Sequence, residues 1–465
     1  MSVQTPRTAP PPAGAASRSA WVHVARTAAA LAAGMGVGRF VFTPILPLMH
    51  AQAGLSASDG AHLATANYTG YLLGALAGIV APAAVRSPAL LRGCLVVLSC
   101  TLAAMPATHS TPVWIALRLL AGVASALIFV SAVGALHSRI RAHPAHLAGW
   151  AFGGVGAGIA LSGLLVLALR SAADWRAAWW ASAALAAVLT LAAWHLRTEP
   201  APPSAAETSG PVAGGPGIGG PGGRGPGGRG SGRRGSGRRD PGAGDPPPAP
   251  DLRRFGVLTL SYTLEGVGYI VAGTFLVAAI EQSSPGWIGG GAWVLVGLAA
   301  VPSSALWARL GQRRSAPGLL CAALVVQAAG IALPALAGGT AAALASAVLF
   351  GGTFIGVSTL ALTAGTRLRV PRSVALLTAG YSVGQILGPL AVAPLLHHGY
   401  HRALLLAAIV VLAAAAAAAV LRAGFPHGAA APPRAPQAPP RPQPDARPRA
   451  QGNARPGRPG HGIVR

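Results

Sequence analysis

The chain is 465 residues long, 52% hydrophobic and only 10% charged, with a formal charge of +25. Soluble domains carry about 25% charged residues, and here the apolar residues fall in runs of about 20, the length that crosses a ~30 Å hydrocarbon core. These features exclude a soluble globular protein. The absence of short alternating segments excludes a transmembrane β-barrel, which leaves an all-α membrane protein.

In chain order, residues 1–26 read as a disordered arm carrying Arg7, Arg18 and Arg26. Apolar spans follow at 27–49, 62–85, 89–107, 112–136, 145–169 and 175–196, grouped as an N-terminal six-helix bundle over 27–197. Residues 198–252 form a linker whose heart, GGRGPGGRGSGRRGSGRRD, is too rich in glycine and arginine to bury a core. A C-terminal bundle over 253–423 holds spans at 255–280, 287–309, 316–338, 340–366, 373–396 and 402–422, and a Pro/Arg-rich tail occupies 424–465. Breaks fall at turn chemistry such as Gly54-Leu55-Ser56. Ala51-Gln52-Ala53 has the look of a signal-peptide cleavage site. The run before it is longer than an h-region of about 7–15 residues and contains Arg39, Pro44 and Pro47, so it reads as the first membrane helix.

All 35 basic residues are arginines, and their placement orients the chain. One set of segments holds Arg26, Arg86, Arg92, Arg139 and Arg141, the linker, Arg309, Arg313, Arg314, Arg367, Arg369, Arg372 and the tail; the opposite loops hold Arg170, Arg176 and Arg402. By the positive-inside rule both termini and the linker face the cytoplasm. The linker lacks the interleaved aromatics of a single-strand nucleic-acid binder, so no nucleic-acid partner is expected; its arginines suit anionic lipid. Cys94, Cys100 and Cys321 lie in apolar spans without metal or disulfide spacing, and no metal site is expected. Trp150, Trp175, Trp179 and Trp287 lie near span ends and read as interfacial anchors.

The two bundles echo one another. Gly36-Val37-Gly38-Arg39-Phe40-Val41 matches Gly266-Val267-Gly268-Tyr269-Ile270-Val271 at an offset of 230, and Val155-Gly156-Ala157 matches Val383-Gly384-Gln385 at an offset of 228. Parallel repeats of this kind relate the halves of one large class of transporters. The stretches GMGVGRFVFTPILPLM (34–49), ANYTGYLLGALAG (66–78), GVGAGIALSGLL (154–165), YTLEGVGYIVAGTFLVAA (262–279) and YSVGQILGPL (381–390) resemble the major facilitator superfamily, in particular its bacterial YbfB/YjiJ-type group. The resemblance covers both halves and implies twelve transmembrane helices in two pseudo-symmetric six-helix bundles. It also implies that spans one and seven line a central cavity. Arg118 and Gly122, in Arg118-Leu-Leu-Ala-Gly122-Val-Ala-Ser-Ala126, resemble the superfamily's proton-antiporter motif, although span five lacks the expected Gly-Pro pair. Arg309, Gly311 and Arg313 resemble its cytoplasmic gating loop, with Ala308 where an aspartate is usual.

Candidate working residues are the polar ones within the spans. Glu265 is the sole carboxylate well inside them, ~15 Å along its helix from Phe255 and so near mid-depth. A charge there is costly and functional by default, so Glu265 is the candidate proton carrier, with a permanent structural ion pair as the alternative. Arg39 is either a ligand for an anionic solute group or the partner of Glu265, and an arginine holds its charge throughout. Asn67, Tyr68 and Tyr71 in span two, Tyr269 in span seven, and Tyr381 and Gln385 in span eleven are expected to contact solute, with interhelical hydrogen bonding as the alternative for Asn67, Tyr71, Tyr381 and Gln385. Arg118 either couples protons or steadies the carbonyls of a neighbouring helix. No P-loop, nucleotide fold or hydrolase motif is present, so neither a cofactor nor an enzymatic activity is expected. The expectation is a monomeric secondary transporter in the bacterial inner membrane. It moves a small organic solute with protons as coupling ion, with export by antiport favoured. The alternative is a non-transporting sensor or scaffold that recruits a partner through its arginine-rich linker.

Overall fold

The structure is a computed structural model that describes residues 13–140, 146–171, 174–197, 251–284 and 286–422. Among the described residues all regular structure is helical. Twelve helical spans among the described residues are long and apolar enough to cross a membrane: Ser19–Ala53, Ala57–Val80, Pro88–Ala107, Thr111–Leu136, Gly149–Leu169, Trp175–Ala193, Leu252–Ser283, Ile288–Arg313, Ala316–Leu336, Thr340–Arg367, Ser373–His398 and Tyr400–Val420. The expected spans reappear with shifted ends. The largest shift is at the start, where a helix runs from Ala13 to Leu31, so the supposed irregular arm is helical from residue 13. Arg26 on this helix donates to the His195 carbonyl at the close of the sixth span.

One end of the helices carries Arg26, Arg86, Arg92, Arg253, Arg254, Arg309, Arg313, Arg367 and Arg372; the other carries Arg170, Arg176 and Arg402. These are called the arginine-rich and arginine-poor ends below.

Without a hydrophobic force between helices in lipid, close packing comes from small residues. Spans two and four approach so closely that a Cβ at Gly122 would strike the Asn67 carbonyl. Spans five and eight join the two halves in the same way, through Gly153 and Gly156 against Val301. The duplication is visible in contacts as well. The Thr43 hydroxyl donates to the Gly273 carbonyl at 2.5 Å, across a sequence separation of 230, so equivalent points of spans one and seven touch each other. The second sequence match, however, is two residues out of register. A Cβ at Gly36 would meet Gly158 and the Val155 carbonyl, and one at Gly266 would meet the Tyr381 carbonyl. The counterpart of Gly384, which packs on Thr263 and Val267, is therefore Gly158; Gly156 faces span eight instead.

Polar links between the halves are unevenly distributed. Besides the Thr43 bond, the Tyr68 hydroxyl and Thr274 Oγ1 lie 2.8 Å apart, and the Tyr400 hydroxyl lies 2.6 Å from His50 Nε2. Arg170 pairs with Glu281 at 3.0 Å and donates to the Gly286 carbonyl. These links lie at mid-depth or at the arginine-poor end. At the arginine-rich end, the bonds of Arg92 to Trp194 and of Arg254 to Asp251 stay within one half, and among the described residues none crosses. Of the tryptophans, Trp150 and Trp287 are exposed at span ends, as anchors should be, whereas Trp175 and Trp179 are buried. Trp175 packs edge-on against Trp114 at 5.7 Å, a core contact inside the N-terminal half that replaces the expected interfacial role.

Candidate solute and coupling site

The first span is not one helix. An α-helix to Leu31 gives way to a π-helical stretch, Ala32–Val37, then a turn over 38–41, and α-helix resumes at Phe42–Ala53. Pro44 supplies the reason: it has no N–H to give the Phe40 carbonyl, and its ring crowds that carbonyl. Thr43 N–H bonds to Phe40 instead, at 3.2 Å, which turns it away from the Arg39 carbonyl it would reach in an α-helix. Backbone freed in this way at membrane depth must be satisfied within the protein. Arg118 does so, donating through Nη1 to the Gly38 carbonyl at 3.2 Å and through Nη2 to the Arg39 carbonyl at 3.1 Å. Its guanidinium also lies 5.1 Å from the Phe42 ring centroid. Of the two roles open to Arg118 in the sequence, this geometry matches the second, the steadying of a neighbouring helix.

The break places Arg39 inside the protein, where it is 2% exposed. Its guanidinium lies 4.4 Å from the Tyr71 ring centroid and 4.9 Å from that of Tyr68, and Nη2 donates to Gln385 Oε1 in the other half. Arg39 Nε and Gln385 Nε2 have no hydrogen-bond partner.

Glu265 sits in the seventh span, an unbroken helix from Leu252 to Ser283, and is fully buried. Both carboxylate oxygens lack a well-formed hydrogen bond; the facing polar group is the buried amide of Gln327 in span nine, which likewise makes no well-formed bond. The Arg39–Glu265 ion pair, one of the two roles open to Arg39 in the sequence, is not formed. The ion pairs among the described residues are Arg170–Glu281 and Arg254–Asp251. The two central charges are instead separated by aromatic rings. Tyr262 and Tyr381 stack at 4.4 Å, Tyr381 and Tyr269 at 5.6 Å, and Tyr269 packs on Phe354 at 5.1 Å. Tyr269 is within electrostatic reach of both Arg39 and Glu265.

Arg39, Tyr68, Tyr71, Tyr269, Tyr381 and Gln385 are thus brought together with Glu265. Asn67 is turned away, its Nδ2 donating to the Arg118 carbonyl at 2.9 Å, which is an interhelical tie rather than a lining position. Gly122 belongs to that same close contact of spans two and four. Arg309 and Arg313 are exposed on the eighth helix, away from the centre. Sequence reasoning missed Gln327, although a lone glutamine within the apolar run ALVVQAAGIAL is the same signal that singled out Glu265.

A family model described as "Uncharacterised MFS-type transporter YbfB" matches residues 31–215 and 243–420. The chain belongs to this family of the major facilitator superfamily and is an integral membrane transporter. Among solved structures it is similar to the crystal structure of a mutant nucleoside transporter, NupG, with a TM-score of 0.58 and 14% sequence identity, covering 86% of this chain and 98% of that one. At that identity the likeness establishes the fold. No curated protein matches the sequence.

Proposed function

We propose that the protein is a proton-coupled secondary transporter of a small organic solute, working by alternating access at a mid-depth site between its two halves. The observation that carries this reading is the fully buried Glu265, which among the described residues has no cation against it and faces the buried Gln327 amide. A carboxylate at membrane depth without a counter-charge is held neutral or exposed by turns, which is what a proton carrier requires. Arg39, Tyr68, Tyr71, Tyr269, Tyr381 and Gln385 form the solute contacts, drawn from both halves. The arginine asymmetry supports an inner-membrane orientation with both termini cytoplasmic, and the span-four motif favours export by antiport over symport.

The test is solute flux in proteoliposomes under an imposed pH gradient, with Glu265→Gln as the variant. Loss of the response to the gradient, with solute binding retained, is the expected result. Flux and pH response equal to wild type would remove Glu265 from the mechanism.

A further inference from the structure

We propose that Arg39 and Gln385 together form a carboxylate receptor, so that the transported solute is a monocarboxylate carried on a flat, ring-like body. Its identification as cargo rests on the transporter reading above; the receptor itself rests on the geometry alone.

Arg39 is buried without a carboxylate in ion-pair range among the described residues, an arrangement that costs free energy unless the charge is answered. The rings of Tyr68 and Tyr71 answer it in part, with Arg39 Cζ lying over both. Its edge is less well served: Nη2 meets one neutral oxygen, Gln385 Oε1, and Nε meets none. The Gln385 amide is likewise half used, with Nε2 buried and unpartnered. The inventory is therefore a fork of guanidinium N–H donors beside an amide NH2. The two oxygens of a carboxylate satisfy such a fork bidentately and accept one further bond.

A carboxylate docking on Arg39 displaces Gln385 Oε1. The amide then presents Nε2 to the anion, and both orphaned donors become paired. Because Arg39 stands on span one and Gln385 on span eleven, the anion joins the two halves at the point where a single hydrogen bond from the guanidinium to a neutral amide joins them. A phosphate fits less well, since a dianion would set a second charge against one arginine within a ring cluster that Glu265 also borders. The body of the solute is set by the walls. Tyr262, Tyr381 and Tyr269 form a near-parallel row with interplanar angles of 12° and 14°, and flat rings are the shape that extends such a row.

The test is thermal unfolding of the purified full-length protein with benzoate, benzamide and benzylamine as probes of one shape and three charges. Benzoate should raise the unfolding temperature with increasing concentration, as a ligand of the native state must, and the other two should not. Gln385→Glu supplies Arg39 with a carboxylate from within; it should fold and weaken benzoate binding by about tenfold or more. Arg39→Gln should do the same, and if it fails to fold, Gln385→Glu still decides the question. Equal shifts with benzoate and benzamide, no shift with benzoate, or full benzoate binding by Gln385→Glu would each overturn the receptor. Proteoliposome flux separates the two readings. Benzoate binding with no flux of any solute would retire the transporter reading and leave the receptor standing. Flux of neutral or cationic solutes without a benzoate response would do the reverse.

Discussion

Spans one and seven descend from one repeated segment, yet one is broken at its centre and the other is continuous. Under the 230-residue offset Pro44 stands opposite Thr274. In the seventh helix Thr274 lies within the uninterrupted helix and its hydroxyl also bonds back to the Ile270 carbonyl at 2.8 Å. In the first, the proline frees the backbone just ahead of it and Arg118 takes up the loose carbonyls. The difference determines what each half contributes. The broken segment carries a buried arginine whose own backbone is held from outside, and the intact one carries a carboxylate on a stiff rod. The lesson is that a duplicated scaffold acquires unlike poles through one residue type, provided that another helix supplies the missing hydrogen bonds.

That comparison can be attacked from both sides. The largest effect is expected from Thr274→Pro, which imposes the break on span seven without a second Arg118; an interior proline costs about 3 kcal/mol or more, and loss of monodisperse protein in size-exclusion chromatography would show it. Arg118→Leu should come next, because it orphans two buried carbonyls at about 1–3 kcal/mol each, with Arg118→Lys recovering part of the loss in thermal unfolding. Pro44→Thr should leave a folded protein but let span one straighten, moving Arg39 and weakening benzoate binding by about tenfold. If Pro44→Thr binds as wild type does, the break is incidental to the site. Glu281→Gln removes one partner of a partly exposed pair worth about 1 kcal/mol at most, so only a small change in thermal stability is expected. Arg309→Ala, at an exposed position on the eighth helix, should leave stability unchanged within about 0.5 kcal/mol.

Much of this was legible in the sequence because lipid makes simple demands. Apolar run length and arginine placement revealed the twelve spans, and the scarcity of charge within them pointed to Glu265 and Arg39. The break was half legible, since Pro44 is a plain signal but the residue that repairs it lies 79 positions away from Arg39 in sequence. Pairing was the illegible part. Sequence offered Arg39 and Glu265 as partners because opposite charges attract, whereas the fold sets tyrosines between them and turns each toward a glutamine. The two-residue slip at Gly156 has a similar origin, because a glycine-rich helix offers several faces, and only the packing of Gly158 on span one tells which is equivalent.

The Thr43–Gly273 contact has a mechanical consequence. Points related by the repeat coincide only on the axis that relates the halves, and there any symmetric motion sweeps the shortest arc. Under the alternating-access reading proposed above, a hydrogen bond at that spot would serve as a fulcrum, with Arg170–Glu281 and His50–Tyr400 at the end of a lever. Weak bonds far from that pivot would then restrain the halves with a torque that their modest energies alone would not suggest.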